Sequence, residues 1–471
     1  MSNPKLDGKK VLFIGGANGK DDWMIAIAQE LELQNHTTSY YYNPLKGGKE
    51  YLMSKGIPPE NIDSFYHEDQ KEIIIPNLKF IEEAEKKYHF KTWDLWQITA
   101  PRKKSRLKLK DTTILNWTEF VIKKTEALIE RWHPDYVILQ GMASFAIVLV
   151  HNALKENGVQ ILTITNARVP QRFTLCNNLE DRWPLLLQEY NNLKNRELTP
   201  QEITAAKEFI QNFKDKPSRP DDSAKKKVSF NQKMGKYLLY LKIIRHRKQL
   251  PALKQFIWPV ANKFLDLTNT FEMPVAGEQY VFYALHVDPE ASTSLFGGLY
   301  VNQLDIVEKI AKSLPCNYKL YVKEHLFNYS SRPLYFRKEI KKFPNVRLIS
   351  PHASSINLIK NSSLVLTVTG TVGWEAIIFQ KPVITFGRIY YNLFEEVAPI
   401  SEISKLPQLI EQKVSTTTDE KKTLKFITAI FKATFPGSGA DPGDCNNLSL
   451  APSNITLLVQ GINQYVEKVQ K

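Results

Sequence analysis

Residues 364–390 combine residue types that bind phosphate esters. Their sequence, LVLTVTGTVGWEAIIFQKPVITFGRIY, predicts a buried strand over 364–368, a small-residue turn over 369–373, a helix over 374–379 and a second buried strand over 383–386. The first turn of a helix presents free N–H groups and the positive end of the helix dipole, and both favour an anion. This stretch therefore predicts a site for a nucleotide phosphate.

Five residues within the stretch suit such a ligand. Gly370 and Gly373 let the backbone approach a ligand closely, and the hydroxyls of Thr369 and Thr371 add hydrogen-bond donors. Glu375 lies just inside the predicted helix, where its carboxylate is suited to accept hydrogen bonds from ribose hydroxyls. The alternative interpretation is an ordinary strand–helix connection with a satisfied N-cap, because short glycine-rich matches often arise by chance.

Polar clusters follow two other predicted strands, 280–285 and 318–322. The first strand is followed by His286, Asp288, Glu290, Ser292 and Thr293, and the second by Lys323, Glu324 and His325. Ligands of open parallel sheets bind at the carboxyl ends of the strands. We therefore expect both clusters and the 369–373 turn to form one donor site.

Each residue type in the two clusters suggests a role. Lys323 and His325 are suited to bind a phosphate, and Glu375 to orient a ribose or a base. Glu290 or Asp288 would then lie near the reacting carbon.

Two further interpretations of these clusters stay open. Ser292 and Thr293 either cap the following helix or contact the phosphate. His286, Asp288 and His325 would hold a metal ion if their side chains converge.

Strands and helices alternate in both halves of the chain. The first half predicts strands over 10–15, 39–42, 136–139 and 160–165, with helices over 23–33, 111–132 and 145–157. The second half predicts further strands over 318–323 and 346–349, with helices over 300–313, 334–342 and 354–360. This alternation predicts an α/β fold with parallel sheets covered on both faces. The turn GGANGKDD after the first strand lacks the G-x-G-x-x-G pattern, so a nicotinamide cofactor is not expected.

The bulk composition narrows the class of protein. With 471 residues, of which 43% are hydrophobic and 24% charged, the chain is typical of a soluble globular protein of two domains. No apolar run of about 18 residues occurs, and the N-terminus lacks signal-peptide features. The three cysteines lie far apart without metal-ligand spacing. We therefore expect a cytoplasmic protein without disulfides or zinc.

The net charge of +14 is concentrated in two basic runs. Residues 102–110 hold six Lys/Arg and no acid, and residues 223–265 hold eleven Lys/Arg and no acid among apolar residues. A basic amphipathic stretch is typical of contact with an anionic membrane surface, or of a solvated helix face beside a site for anionic substrates. Nucleic acid is not the expected partner, because no nucleic-acid-binding motif accompanies the charge.

Several motifs together resemble one known family. The segments LHVDPEASTS, KLYVKEH and TGTVGWEAIIFQKPVITFG are similar to the capsule polysaccharide biosynthesis family, which includes bacterial 3-deoxy-manno-octulosonic acid (Kdo) transferases. The resemblance covers roughly residues 280–390. This chain has Leu326 where the family usually has proline, and Asp288 where relatives often have glutamine, and both differences affect the expected identity of the donor.

The resemblance implies a GT-B-like fold with two Rossmann-like domains whose parallel sheets face a cleft. The implied boundaries are an acceptor domain over 1–180, a helical basic linker over 181–275, a nucleotide-sugar domain over 276–415, and a tail over 416–471. The last helix, predicted over 454–469, would cross back to the first domain.

The resemblance also implies how such an enzyme works, with a nucleotide sugar as substrate and neither a metal nor a cofactor. A base must take the proton of the acceptor hydroxyl, and Asp21 and Asp22 suit this role unless they only cap the helix that follows. Arg168 and Arg172 are suited to grip an anionic acceptor or a sugar carboxylate. Glu290 and His325 complete the candidate catalytic residues.

The predicted function is a glycosyltransferase. It would transfer a sugar from a CMP-Kdo-like or similar donor to a surface polysaccharide or lipid-linked acceptor, with residues 223–265 docking the protein at the inner face of the plasma membrane. The alternatives are a sugar-nucleotide 2-epimerase, a polyol-phosphate transferase with a CDP-activated donor, and a non-catalytic protein of capsule assembly or export.

Overall fold

The structure is a computed structural model that describes residues 6–15, 22–66, 75–99, 110–141, 144–216, 270–287, 290–326, 332, 334–439 and 448–469. Asp21, Asp288 and the basic run 223–265 lie outside these residues, as does the side chain of Ser292. The roles predicted for them stay predictions.

The first half of the chain forms alternating strands and helices. The strands are β1 (Lys10–Ile14), β2 (Thr38–Asn43), β3 (Ile62–Ser64), β4 (Tyr136–Leu139), β5 (Gln160–Asn166) and β6 (Arg172–Cys176). The helices are α1 (Asp22–Asn35), α2 (Gly48–Ser54), α3 (Leu78–Lys87), α4 (Thr92–Thr99), α5 (Asp111–Trp132), α6 (Phe145–Glu156), α7 (Pro184–Lys194) and α8 (Pro200–Asp215). Side-chain caps fix two of the helix starts, since Ser144 accepts from the N–H of Ile147 and Thr199 forms a capping box with Glu202.

The second half repeats the alternation. Its strands are β7 (Tyr280–Ala284), β8 (Lys319–Lys323), β9 (Val346–Ile349), β10 (Leu364–Thr367), β11 (Val383–Thr385), β12 (Val397–Pro399) and β13 (Phe435–Pro436). Its helices are α9 (Ala291–Phe296), α10 (Gln303–Ser313), α11 (Leu334–Ile340), α12 (Ser355–Asn361), α13 (Thr371–Ile378), α14 (Leu406–Val414), α15 (Glu420–Lys432) and α16 (Pro452–Val469). A 3-10 helix, Tyr390–Leu393, follows β11.

The strands form two sheets, each built mainly from one half of the chain. The first has the order β13-β6-β5-β4-β1-β2-β3 and is parallel from β5 to β3, while β6 runs antiparallel to both β5 and β13. The second has the order β12-β11-β10-β7-β8-β9, and its paired strands are parallel. The second order is that of a doubly wound Rossmann sheet, with the direction of winding reversing between β7 and β10. The prediction of an α/β, GT-B-like fold is confirmed.

The chain returns to the first sheet at its end, as predicted for the last helix. Helix α16 packs against α1, where Asn35 and Asn463 exchange side-chain hydrogen bonds of 3.2 Å. Gly461 lies so close to the Phe173 ring that an added Cβ would come within 2.5 Å of it. None of the helices within the described ranges has the length and apolar character needed to span a membrane.

Candidate functional site

The carboxyl ends of β7 and β10 lie side by side at the reversal point of the second sheet. In doubly wound sheets this crevice is where ligands bind. Three connections with predicted site residues start here or one strand away: those after β7, β8 and β10. The topology therefore brings the three predicted clusters to one edge of one sheet.

The turn after β10 is shorter than predicted. Helix α13 starts at Thr371 with Gly370 as its extended N-cap residue, whereas the sequence predicted a start at residue 374. The N–H of Gly373 donates to the carbonyl of Gly370 at 3.1 Å. Thr371 and Val372 are thus the first two helical residues, and helix geometry gives their N–H groups no acceptor within α13. Because Gly370 and Thr371 are only half-buried, an anion can approach these groups from solvent.

His286 holds this turn in place from below. Its buried Nε2 accepts the N–H of Val368 at 3.1 Å and lies 3.2 Å from the hydroxyl of Thr367, which accepts the N–H of Gly370 at 2.9 Å. Burial, reinforced by the charges of Arg332 and His325, lowers the pKa of His286 to about 3. His286 is therefore a neutral residue that positions the turn, where the sequence had predicted direct contact with the donor.

The two glycines of the motif are required by internal packing. A Cβ at Gly370 would lie 2.8 Å from Cε1 of His286, and one at Gly373 would lie 2.5 Å from the Tyr391 hydroxyl. The predicted reason, close approach of a ligand, is replaced by close approach of these two rings. The Thr369 side chain is also buried, so the donors accessible at the turn are those of Thr371 and the backbone.

We expect Gly373→Ala to destabilise the protein by about 1–3 kcal/mol, because its methyl group overlaps the Tyr391 ring. Urea unfolding followed by circular dichroism measures this change. The double variant Gly373→Ala/Tyr391→Leu should recover part of the loss, since leucine leaves room for the methyl. A Gly373→Ala protein as stable as the wild type would contradict the packing described here.

The carboxyl end of β8 and the residues that follow it combine a buried lysine with a buried ion pair. Lys323 is 8% exposed and Glu324 is fully buried, while His325 is half-buried. Oε1 of Glu324 accepts the N–H of His325 at 2.8 Å and Nε of Arg332 at 3.0 Å. Glu324, predicted to bind the donor, is therefore a partner of Arg332 inside the protein.

Arg332 is a residue that the sequence analysis missed. It is 4% exposed, and besides Glu324 it donates through Nη2 to the carbonyl of His286. It thus joins the connection after β8 to the connection after β7. A signal was present, because a carboxylate in a buried strand end requires a cation partner nearby.

The remaining predicted donor residues take different positions. Glu290 is the exposed N-cap residue of α9, and its carbonyl accepts the N–H of Ser294 at 3.0 Å. Thr293 is buried in the same helix. Glu375 is 3% exposed in α13, which leaves little carboxylate surface for the predicted ribose contact.

Two predicted residues of the first domain are engaged in internal contacts. Asp22 starts α1, where its carboxylate accepts from the Tyr51 hydroxyl and pairs with Lys55 at 2.8 Å. Arg172 donates to the hydroxyl and carbonyl of Thr434 and to the carbonyl of Phe431, at the end of α15. Arg172 therefore joins β6 to α15, a structural role in place of the predicted acceptor contact.

Arg168, predicted to bind an anionic acceptor, is exposed. Its φ of 56° lies in the left-handed region, which a non-glycine residue rarely adopts. Its positive charge partly offsets the burial that raises the pKa of Asp181 and of the Tyr390 and Tyr391 hydroxyls. Among the described residues, no group of three or more His, Cys, Asp or Glu is arranged to hold a metal ion.

Asp181 is a second residue that the sequence analysis missed. Burial of its carboxyl raises the pKa from 3.8 to about 6. The hydrogen bonds from Trp183 and from the N–H of Tyr390 and the charge of Arg168 lower the pKa, but by less than burial raises it. Glu180, Arg182 and Arg388 form ion pairs around it.

We expect the stability difference between Asp181→Asn and the wild type to depend on pH. A carboxyl with a raised folded-state pKa contributes stability below about pH 4 and loses it as the pH rises through about 6. The two proteins should therefore melt alike near pH 4, and the variant should become the more stable one above pH 6. Differential scanning fluorimetry from pH 4 to 8 measures the difference, and a pH-independent difference would contradict the raised pKa.

Comparison with known proteins agrees with the resemblance found in the sequence. Residues 287–395 match the sequence model of a family described as "Capsule polysaccharide biosynthesis protein". No curated protein matches the chain.

Among solved structures, the chain is similar to the Kdo 2,7 transferase KpsC of Thermosulfurimonas dismutans at 13% identity, covering 78% of this chain and 97% of that one with a TM-score of 0.38. It is also similar to UDP-GlcNAc 2-epimerase of Neisseria meningitidis at 15% identity, covering 95% and 100% with a TM-score of 0.24. A third similar structure is the S. aureus MnaA-UDP co-structure, at 13% identity, 98% of each chain and a TM-score of 0.29.

The family match begins directly after His286, includes the carboxyl ends of β8 and β10, and extends past the 3-10 helix after β11. The chain is thus similar to the capsule polysaccharide biosynthesis family over residues 287–395.

Proposed function

We propose that the protein is a glycosyltransferase of capsule polysaccharide biosynthesis that takes its sugar from a nucleotide-sugar donor. The observation that carries the proposal is the position of the α13 N-terminus. It lies at the reversal point of a doubly wound sheet, within the segment that matches the family. Lys323 adds a buried cation at the same edge.

In this proposal the N–H groups of Thr371 and Val372 and the ammonium of Lys323 bind the phosphate of the donor. During transfer, an acceptor hydroxyl oxygen forms a bond to the anomeric carbon while the bond from that carbon to the phosphate oxygen breaks. The phosphate leaves with additional negative charge, which a helix N-terminus and a fixed cation stabilise. The hydroxyl proton passes to a carboxylate beside the acceptor.

Two carboxylates are proposed as the base that accepts this proton, Asp22 and Glu290. Asp22 accepts a hydrogen bond from the Tyr51 hydroxyl and forms an ion pair with Lys55. Glu290 is exposed at the start of α9. Arg168, exposed near Tyr391, is the proposed contact for an anionic acceptor or a sugar carboxylate.

A thermal-shift screen against CMP, CDP, UDP and GDP tests the proposal. A nucleotide that binds only the folded state raises stability by about 2.7 kcal/mol at a hundredfold excess over its Kd. We expect one nucleotide to raise the melting temperature and adenosine, without a phosphate, to leave it unchanged. If all four nucleotides leave it unchanged, the proposed donor site is wrong.

The choice of substrates distinguishes glycosyl transfer from the reaction of a sugar-nucleotide 2-epimerase. A glycosyltransferase releases its nucleotide from the donor only when an acceptor is present, apart from slow hydrolysis. A sugar-nucleotide 2-epimerase converts the donor alone without releasing the nucleotide. Chromatography of the donor with and without an acidic glycan acceptor distinguishes the two reactions.

A further inference from the structure

A chain of contacts joins the segment before α7 to the turn of the candidate site. Oδ1 of Asp181 accepts the Nε1–H of Trp183 at 3.0 Å. The Trp183 indole, 1% exposed, stacks on the Tyr390 ring with centroids 4.0 Å apart and planes 10° apart. Tyr390 is itself buried and is followed directly by Tyr391 in the same 3-10 helix.

Tyr391 ends this chain of contacts at the anion-binding turn. Its hydroxyl donates to the carbonyl of Gly370 at 2.7 Å, and its ring fills the space above Gly373. The Tyr391 side chain is fully buried, so its surroundings hold the hydroxyl in place for this hydrogen bond. The position of the Tyr390–Leu393 helix therefore determines where the first turn of α13 lies.

Asp181 is held in an unusual backbone conformation at the other end of the chain of contacts. Its φ of 49° lies in the left-handed region, and such residues persist only where the surrounding contacts fix them. Without the Asp181 carboxylate, the buried N–H of Trp183 would lose its acceptor, and a buried unsatisfied donor is costly. We expect the indole then to move away from Tyr390 towards another hydrogen-bond acceptor.

We propose that Asp181 is a positioning residue for the anion-binding turn, acting through Trp183, Tyr390 and Tyr391. The inference rests on the proposed function, because it assigns Asp181 an effect on the affinity for a nucleotide phosphate. Asp181 itself does not contact the ligand. The segment before α7 thereby sets the geometry of a site that is otherwise built from the second sheet.

Four variants and one control test this proposal. Asp181→Ala removes the acceptor for Trp183, whereas Asp181→Asn keeps an oxygen in its place. Tyr391→Phe removes the hydrogen bond to Gly370, and Asp181→Ala/Tyr391→Phe combines both changes. Glu180→Ala is the matched control, because Glu180 adjoins Asp181 but pairs with Arg182 and Arg388.

The main readout is the Kd of whichever nucleotide in the screen binds the wild type, measured by calorimetry at pH 7.5. We expect Asp181→Ala and Tyr391→Phe each to weaken binding about tenfold, as loss of one buried hydrogen bond would. Asp181→Asn and Glu180→Ala should bind like the wild type. The double variant should be no weaker than the weaker single variant, because both changes act on one chain of contacts.

Two results would overturn the proposal. One is an Asp181→Ala protein with a lower melting temperature but an unchanged Kd, which would show a purely structural role. The other is a double variant whose loss of affinity is the product of the single losses. Should the wild type bind none of the nucleotides, the proposed function fails by itself. In that case the free energies of unfolding of the wild type, Asp181→Ala, Tyr391→Phe and the double variant are compared. Additive losses of stability would refute the link between Asp181 and Tyr391.

Discussion

Replacing Lys323 with methionine should lower the rate of sugar transfer by about a thousandfold while leaving the protein folded. Lys323 ends β8, two strands from β10, which places its Cα about 10 Å from the strand that leads into α13. The extended lysine side chain can cross most of that distance. A fixed cation at the leaving group typically contributes a factor of about 10²–10³, and the buried position of Lys323 favours the upper end.

The control for this prediction lies on the same strand. Lys319→Met changes the opposite end of β8, where the side chain is half-buried and donates to the carbonyl of Pro344. This variant should keep its turnover. The rate of nucleotide release with donor and acceptor, together with a melting curve for each variant, separates lost chemistry from lost folding. Wild-type turnover in Lys323→Met would remove this lysine from the mechanism.

Arg332→Met should destabilise the protein by about 3–5 kcal/mol, the largest stability effect that we expect. The change leaves the Glu324 carboxylate, which is fully buried, without its cation. Breaking one side of a buried pair costs far more than the pair is worth, because the remaining charge is desolvated and uncompensated. The double variant Arg332→Met/Glu324→Gln removes that charge and should recover much of the loss.

Arg347 offers a comparison within the same sheet. It pairs with Glu272 at 2.7 Å and Glu278 at 2.6 Å but is 28% exposed. Water can solvate the two carboxylates once the arginine is removed. Arg347→Met should therefore lower the free energy of unfolding by about 1 kcal/mol or less. Urea unfolding with a constant m-value measures both arginine variants. Equal losses for Arg332→Met and Arg347→Met would mean that burial does not determine the effect.

The sequence predicted the second sheet well because its strands are short apolar runs between turn residues. Strand β9 and helix α5 have the predicted bounds, and most others differ by one to three residues. The start of α13 was wrong by three residues because threonine, valine and glycine are poor helix formers. Packing of Gly373 against Tyr391 overrides that preference, and Tyr391 is eighteen residues away in sequence.

The structure brings the predicted strand ends to one edge of the second sheet, but several of the predicted residues make internal contacts there. Strand ends could be found from the pattern, whereas the hydrogen bond of His286 to Val368, 82 residues away, is set by packing across strands. Arg172 shows the same limit, since the carbonyls that it binds lie 259 and 262 residues away. No local pattern predicts such a contact. Asp181 has no sequence signal either, because its raised pKa comes from burial in the folded protein.

The antiparallel strand β13 has a consequence for how the protein is made. Strand β6 pairs with β5 on one side, and its residues Arg172 and Phe173 pair on the other side with residues 435–436 of β13. During synthesis the first sheet carries an open edge while some 260 residues are still to be translated. A ribosome that stalls within the second half would therefore release a chain whose N-terminal sheet has an unpaired edge, and such an edge can pair with other chains.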